Sequence, residues 1–198
     1  MYALVEARYL RRAPIFCWHY TLRREPTHIV GYSDSDWAGD LQTRKSTSGG
    51  VITLEAEDDV KEETTVAAVQ AWSRSQGPTA LSSMEAEYYA LITACQETRA
   101  IQSLIEEITG KRIQITLRTD SDAARMAVEK RGTLHCKHME IRHLFLKELQ
   151  DRGVVKLTRV ASKANPADLL TKILSQQRIE EVILFMATCW SVRGFMHD

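Results

Sequence analysis

At 198 residues, 44% of them hydrophobic and 26% charged, the chain has the length and balance of one domain with a core of its own and room for an appendage. Its 26 basic side chains meet 26 acidic ones, so the formal net charge is zero, which excludes bulk charge as the means of holding nucleic acid and leaves only a local basic groove. Cys17, Cys95, Cys136 and Cys189 contain no C-x-x-C pair; this speaks against a zinc ribbon or a disulfide framework and for reduced thiols in a cytoplasmic, intracellular setting.

Residues 1–26 differ in character from the rest of the chain. Arg8, Arg11, Arg12, Arg23 and Arg24 make this end basic, Pro14 and Pro26 interrupt it, and Glu6 and Arg8 stand where a secretory signal would need an apolar core. From Thr27 the pattern predicts strands: Ile29–Asp34, then Gly50–Glu55, then Thr65–Gln76, an antiparallel meander. The acidic run Glu57–Glu63 predicts a solvated hairpin tip. A long helix comes next, from Met84 to Ile108, capped by Ser82 or Ser83 and ended by Gly110. Its apolar face is expected from Met84, Tyr88, Leu91, Ile92, Cys95, Ile101, Leu104, Ile105 and Ile108. Ile113, Ile115 and Leu117 alternate as a fourth strand ending at Thr119-Asp120, and Ser121 caps a short helix to Lys130. Lys137–Gln150 predicts another helix with Ile141, Phe145 and Leu149 inward, Val154–Val160 a fifth strand, and Asn165-Pro166 the start of a last helix. This order implies an α/β fold with a mixed sheet. The late apolar run Val182–Ala187 is too short to span a bilayer.

Asp34, Glu85, Asp120 and Asp168 fall at element junctions, where an α/β sheet gathers its ligand sites. Converging carboxylates repel unless a cation lies between them, and an all-oxygen donor set suits magnesium. Each acid also has a plain structural role. Glu85 completes a capping box with Ser82, and Asp168 follows the cap Asn165 by three, where an acid stabilises the helix dipole by roughly 0.3–1 kcal/mol. Asp120 precedes a cap, and Asp34 and Asp36 suit a turn. Spacing alone leaves the two readings level.

The strings GYSDSDWAGDLQTRKSTSGG, WSRSQ, ALSSMEAEYYAL, RTDSDAA, KHMEIRHLFLKE and NPADLLTK, in this order, resemble the ribonuclease H domain of copia-type retrotransposon polyproteins. The likeness covers 27–180, and ARYLRRAP near the start resembles the end of a reverse transcriptase, so that 1–26 is expected to be a tail and 181–198 an extension. The resemblance implies a ribonuclease H-like fold, a five-stranded mixed sheet of three antiparallel strands and two parallel additions flanked by helices. It implies cleavage of the RNA strand of an RNA–DNA hybrid with two magnesium or manganese ions. Asp34 would bridge both metals, Glu85 would hold one near the ribose 2′-OH, Asp120 would lie near the attacking water, and Asp168 would hold the metal on the nucleophile side.

Substrate contacts are expected from Arg44, Lys45, Ser46, Thr47 and Ser48, whose amides, hydroxyls and charges suit phosphate, and from Trp72, Ser73 and Arg74 on the third strand. The plainer readings are a solvated hairpin for Arg44 and Lys45 and a core aromatic for Trp72. His135, Cys136, His138 and His143 invite a zinc site, but KHMEIRHLF matches a motif of the resembled family, which implies a packed helix on the substrate side. The loop Ala161–Asn165 lacks the histidine that many relatives carry, which leaves the proton donor unassigned. The expected partners are an RNA–DNA hybrid and a reverse transcriptase in the same polyprotein. The competing readings are an integrase-like nuclease on the same fold and an inactive, hybrid-binding fragment of a decayed element.

Overall fold

The computed structural model describes residues 17–19, 25–58, 63–129, 145–186 and 189–191. The basic tail up to residue 16, the tip of the acidic run at 59–62, and the stretch 130–144 with His135, Cys136, His138, Ile141 and His143 lie outside the described residues.

Cys17–His19 (β1) pairs antiparallel with Cys189–Ser191 (β7) as a separate ribbon that joins the two ends of the chain. The main sheet has five strands in the order β4-β3-β2-β5-β6. His28–Asp36 (β2), Thr47–Asp58 (β3) and Glu63–Ser75 (β4) form the antiparallel meander. Gln114–Thr119 (β5) lies parallel to β2, and Val155–Arg159 (β6) lies parallel to β5. This is the expected mixed sheet, three antiparallel strands with two parallel additions. The strands flanking the first turn are longer than their apolar stretches, because pairing carries the polar residues at their ends into the ladder.

β2 is the central strand, and residues 29–35 are buried on both faces. Alternation along a strand sends its side chains to opposite sides. Ile29 joins Ile52, Leu91, Cys95, Ile115 and Leu117 under the long helix Ser83–Thr109 (α1). Val30 and Tyr32 join Val51, Ala68, Val160 and the apolar side of Gln176–Met186 (α4) on the other face. Between them, Gly31 has no side chain where α1 crosses: a Cβ there would lie 2.4 Å from Thr98 Oγ1.

α1 begins at the cap Ser82, whose Oγ accepts from the Glu85 amide at 3.2 Å, and ends at Gly110 in the left-handed region, φ 68°. Replacing Ser82 by alanine removes that acceptor and is expected to cost about 1 kcal/mol, read as a lower urea midpoint with an unchanged slope. At 27 residues α1 is about 40 Å long, and its last turn, 106–109, is exposed. Leu104 and Ile108 were expected on its buried face; Leu104 is 51% exposed beside Ile105, which still packs on the core, and Ile108 in the last turn is 73% exposed.

Asp122–Glu129 (α2) starts at Ser121, whose Oγ accepts from Ala124 N at 3.2 Å. The helical stretch 145–151 (α3) buries Leu146 and Leu149 and ends before Gly153, φ 68°. The last helix starts later than expected. Asn165-Pro166 opens a short 3-10 turn, Pro166–Leu170, and not a long helix; the regular helix α4 begins only at Gln176. α4 crosses residue 180 and packs Ile179, Val182, Ile183 and Met186 into the core, so the expected domain boundary at 180 falls inside a packed helix. Among the described residues, no helix is long and apolar enough to cross a membrane.

Candidate metal centre

The parallel pairing of β2 and β5 sets Ser33 opposite Thr119, so the next residue of each chain, Asp34 and Asp120, leaves the same edge of the sheet. Asp168 reaches that edge from the 3-10 turn. Three local features hold the turn there. Asn165, fully buried, accepts from Ala167 N at 3.2 Å as the turn's cap and donates Nδ2 to the Ser33 carbonyl at 3.0 Å, pinning the turn to the end of β2. Pro166 supplies the first position of the turn, where its missing N–H is not needed. Gly49, the partner of Asp34 across β2 and β3, leaves the space the turn occupies: a Cβ at Gly49 would lie 2.6 Å from Thr171 Cγ2 and 3.0 Å from the Ala167 carbonyl oxygen.

The result is a group of three acids, Asp34, Asp120 and Asp168, each offering a carboxylate oxygen within 4.8 Å of the others. Asp34 is 1% exposed. Burial raises its pKa, and the Thr171 hydroxyl and the Lys172 ammonium work against that shift. Thr171 Oγ1 donates to Asp34 Oδ2. Lys172 Nζ donates to Asp34 Oδ1 at 3.0 Å and to Asp168 Oδ1 at 2.6 Å. Ser162 Oγ donates to Asp120 Oδ2 at 2.7 Å. Burial weighs against the Lys172 charge, but its bonds to Asp168 and Asp34 outweigh it and hold the ammonium protonated well above the usual lysine range.

Glu85 is the expected member that the structure does not bring to the group. Its carboxylate accepts from Leu81 N at 2.8 Å and from the Tyr89 hydroxyl at 2.6 Å, so it closes the N-terminus of α1. Residues two apart on a helix point to nearly opposite sides, and Glu87 takes the side that Glu85 does not. Burial, with repulsion from Asp34 and Asp120, pushes the Glu87 carboxyl up to about 8, the Ser35 hydroxyl and Lys172 offsetting part of it. Its Oε2 is buried and has no hydrogen-bond partner. The S-x-x-E capping box in SSMEAEYYAL marks Glu85 as a cap residue, but it does not say which way Glu87 faces, which depends on how α1 crosses the sheet.

A donor set made only of carboxylate oxygens fits a hard divalent cation. Asp34, Asp120 and Asp168 are the residues placed to hold one, with Glu87 near enough to feel the charge of Asp34 and Asp120.

The expected substrate contacts divide. Arg44 is exposed, in the left-handed region at φ 56°, in a loop that Asp40 organises by accepting from the Gln42 and Thr43 amides at 2.9 and 3.2 Å. Lys45 and Thr47 are half-buried. Ser46 and Ser48 are corrections: both are buried, Ser46 Oγ accepting from Ala38 N at 3.1 Å and Ser48 Oγ from Gln76 Nε2 at 2.9 Å, so both hydroxyls brace the loop and the neighbouring strand. Trp72 is another correction. It is 5% exposed and lies against Gly50, where a Cβ would come 2.1 Å from the indole ring. Ser73 Oγ donates to the Leu170 carbonyl at 2.6 Å, tying β4 to the 3-10 turn. Arg74 is exposed and pairs with Glu97 at 2.6 Å. Beside it, on the α1 side of the sheet, lies a cleft of about 460 Å³ lined by Arg74, Gln76, Tyr89, Thr93 and Phe145.

No protein-family model matches the chain. It is 29% identical over 154 residues to the retrovirus-related Pol polyprotein from transposon TNT 1-94 of Nicotiana tabacum, a match covering 77% of this chain and 11% of that one. Over 90 residues it is 40% identical to the secreted RxLR effector protein 161 of Plasmopara viticola, covering 46% of this chain and 56% of the effector. The chain thus spans about a tenth of the tobacco polyprotein and about half of the effector. Among solved structures, the N-terminal RNase H domain of a Mycobacterium tuberculosis protein superposes with a TM-score of 0.51 at 13% identity, over 81% of this chain and 99% of that one. The fold is that of ribonuclease H domains, and the homologues include retrovirus-related Pol polyproteins of plant transposons, in agreement with the copia-type resemblance of the motifs.

Proposed function

We propose that the chain is the ribonuclease H region of a copia-type retrotransposon polyprotein, a metal-dependent endonuclease that hydrolyses the RNA strand of RNA–DNA hybrids. The observation that carries this is the convergence of Asp34, Asp120 and Asp168, from three separate elements, to within 4.8 Å at one sheet edge. Such crowding is unfavourable without a cation, and Asn165 and Gly49 serve to maintain it. The fold and the polyprotein homologues support the nuclease class.

Asp34, Asp120, Asp168 and Glu87 would hold two magnesium or manganese ions, which supply stabilisation of the attacking and leaving oxygens in phosphodiester hydrolysis. Asp34, rigid on the central strand and buried, is suited to the position shared between the ions. Asp168 is carried on a short turn whose hydrogen bonds to β2 set its distance. Ser162 orients Asp120 through its Oδ2. Glu87, entering from α1 on the opposite side, would close the donor set and lie toward the ribose, where the 2′-OH distinguishes RNA from DNA. Arg44, Lys45 and Arg74 remain as the cations of the expected set for phosphate contact. With a formal net charge of zero, a polymerase domain in the same polypeptide would raise the effective concentration of hybrid at the site.

The test is cleavage of a labelled RNA–DNA hybrid in magnesium by the whole chain. Asp34→Asn or Asp120→Asn is expected to reduce cleavage to background. Equal residual signal in wild type and variant would refute the reading. Joining of donor DNA ends without hybrid cleavage would replace it by an integrase-like activity.

A further inference from the structure

We infer that Lys172 is a resident counter-ion of the acidic cluster, which a divalent cation must displace to bind. The inference rests on the proposed metal-binding role of the cluster and adds a competitor to it. Lys172 Nζ lies between Asp34 Oδ1 and Asp168 Oδ1, at 3.0 and 2.6 Å, the place between two carboxylates where a cation is needed. The other oxygen of Asp34 already accepts from Thr171 Oγ1. Both oxygens of the most buried acid are therefore engaged by the chain itself, and the ammonium is the engagement that carries charge.

The geometry distinguishes a displaceable ion from a fixed strut. The Lys172 backbone is anchored, its N–H donating to the Asp168 carbonyl at 2.9 Å. Its side chain is 42% exposed, while those of Asp34 and Asp168 are 1% and 10% exposed. The lysine thus reaches in from the rim on a flexible four-carbon stem, and its head has water to return to. The carboxylates do not move with it, because Asp34 is on the central strand and Asp168 on a turn held by Asn165 and packed over Gly49. Metal entry then exchanges one positive charge for two at a site whose walls stay in place, and it frees an ammonium at the mouth through which a phosphate would approach.

Removing the ammonium leaves the carboxylates for the metal alone, so Lys172→Met is expected to bind Mn2+ about tenfold more tightly than wild type, the factor that corresponds to about 1.4 kcal/mol of lost competition. The measurement is calorimetric titration of Mn2+ into the whole chain without nucleic acid, with the rise in melting temperature on adding Mn2+ as a second readout. Lys172→Met is expected to melt lower than wild type without metal and to gain more on adding it. Lys172→Arg, which keeps the charge, is expected to bind no more tightly than wild type, and Lys172→Gln covers the case in which the methionine variant does not fold. Equal or weaker Mn2+ binding by the neutral variants overturns the counter-ion role and marks Lys172 as a strut, leaving the metal site intact. Failure of every form, wild type included, to bind Mn2+ overturns the metal-binding reading and the inference with it.

Discussion

Glutamine in place of Glu87 is expected to reduce hybrid cleavage to background while leaving a stable fold, and glutamine in place of Glu85 to do the reverse. Glu87 has a buried, unpartnered carboxylate oxygen, and burial together with repulsion from Asp34 and Asp120 disfavours its charge in the metal-free fold, whereas a divalent ion beside it would favour that charge. Glu85 accepts from Leu81 N and Tyr89 Oη at the start of α1; glutamine keeps an acceptor there but loses the charge that strengthens both bonds and favours the helix dipole, at about 1–2 kcal/mol. The same pair separates in pH dependence. The Glu87 pKa rises from the ordinary 4.5 to about 8, so between these values the folded chain retains a proton that the unfolded chain has released. The favourable contribution is full below about pH 4.5 and is lost as pH rises toward and through 8. In chelator, wild type should lose stability across this window, and Glu87→Gln should lose less of it, with Asp34, whose pKa is also raised, supplying a remaining slope of the same sign. Thermal melts at several pH values check this. Superimposable wild-type and Glu87→Gln curves, or cleavage lost in Glu85→Gln and kept in Glu87→Gln, would return the role to Glu85.

Gly49→Ala is expected to cost about 1–3 kcal/mol from overpacking and to reduce cleavage by about 100-fold through displacement of the 3-10 turn. The new methyl would stand 2.6 Å from Thr171 Cγ2, 3.0 Å from the Ala167 carbonyl and 3.0 Å from Leu170 Cβ. A backbone oxygen does not rotate away, so Pro166–Leu170 has to lift off β3. Asp168, Thr171 and Lys172 lift with it; Thr171 and Lys172 donate to Asp34, and Asp168 stands within 4.8 Å of it. Gly77→Ala is the matched control: its Cβ would meet nothing within 4 Å, and it is expected to be neutral in both assays. If Gly49→Ala keeps wild-type activity, the close approach of turn and strand is not what sets the cluster.

The substitutions also show where sequence reasoning reached the site and where it stopped. Asp34 and Asp120 were legible because each ends an apolar strand, and two parallel neighbours put such ends side by side. Asp168 was legible as an acid behind a cap, although the element it opens is a single 3-10 turn. The wrong glutamate was preferred because EAE offers two carboxylates within one helical turn. Only the direction of the helix over the sheet decides which one faces the edge.

Trp72, Ser46 and Ser48 failed for a related reason. Aromatic and hydroxyl side chains serve a phosphate surface or an interior equally well, and their choice depends on what lies opposite. Gly50 opens a seat for the Trp72 ring, and Ser46 and Ser48 meet the Ala38 amide and the Gln76 side chain. Leu104 and Ile108 kept the helical period, but Leu104 lies off the face that Ile101 and Ile105 press on the core, and Ile108 falls in an exposed last turn.

The amino-acid sequence by itself determined the order of elements, the class of the sheet, the cap of the long helix and three acids at its junctions, because these depend on local periodicity and short-range capping. Tertiary structure alone decided that Glu87 and not Glu85 turns toward those acids, that Gly49 admits the turn carrying Asp168, and that Lys172 stands between Asp34 and Asp168. Each of those depends on the distance between segments far apart in the chain, and such distances are set by packing across the sheet, which local pattern does not encode.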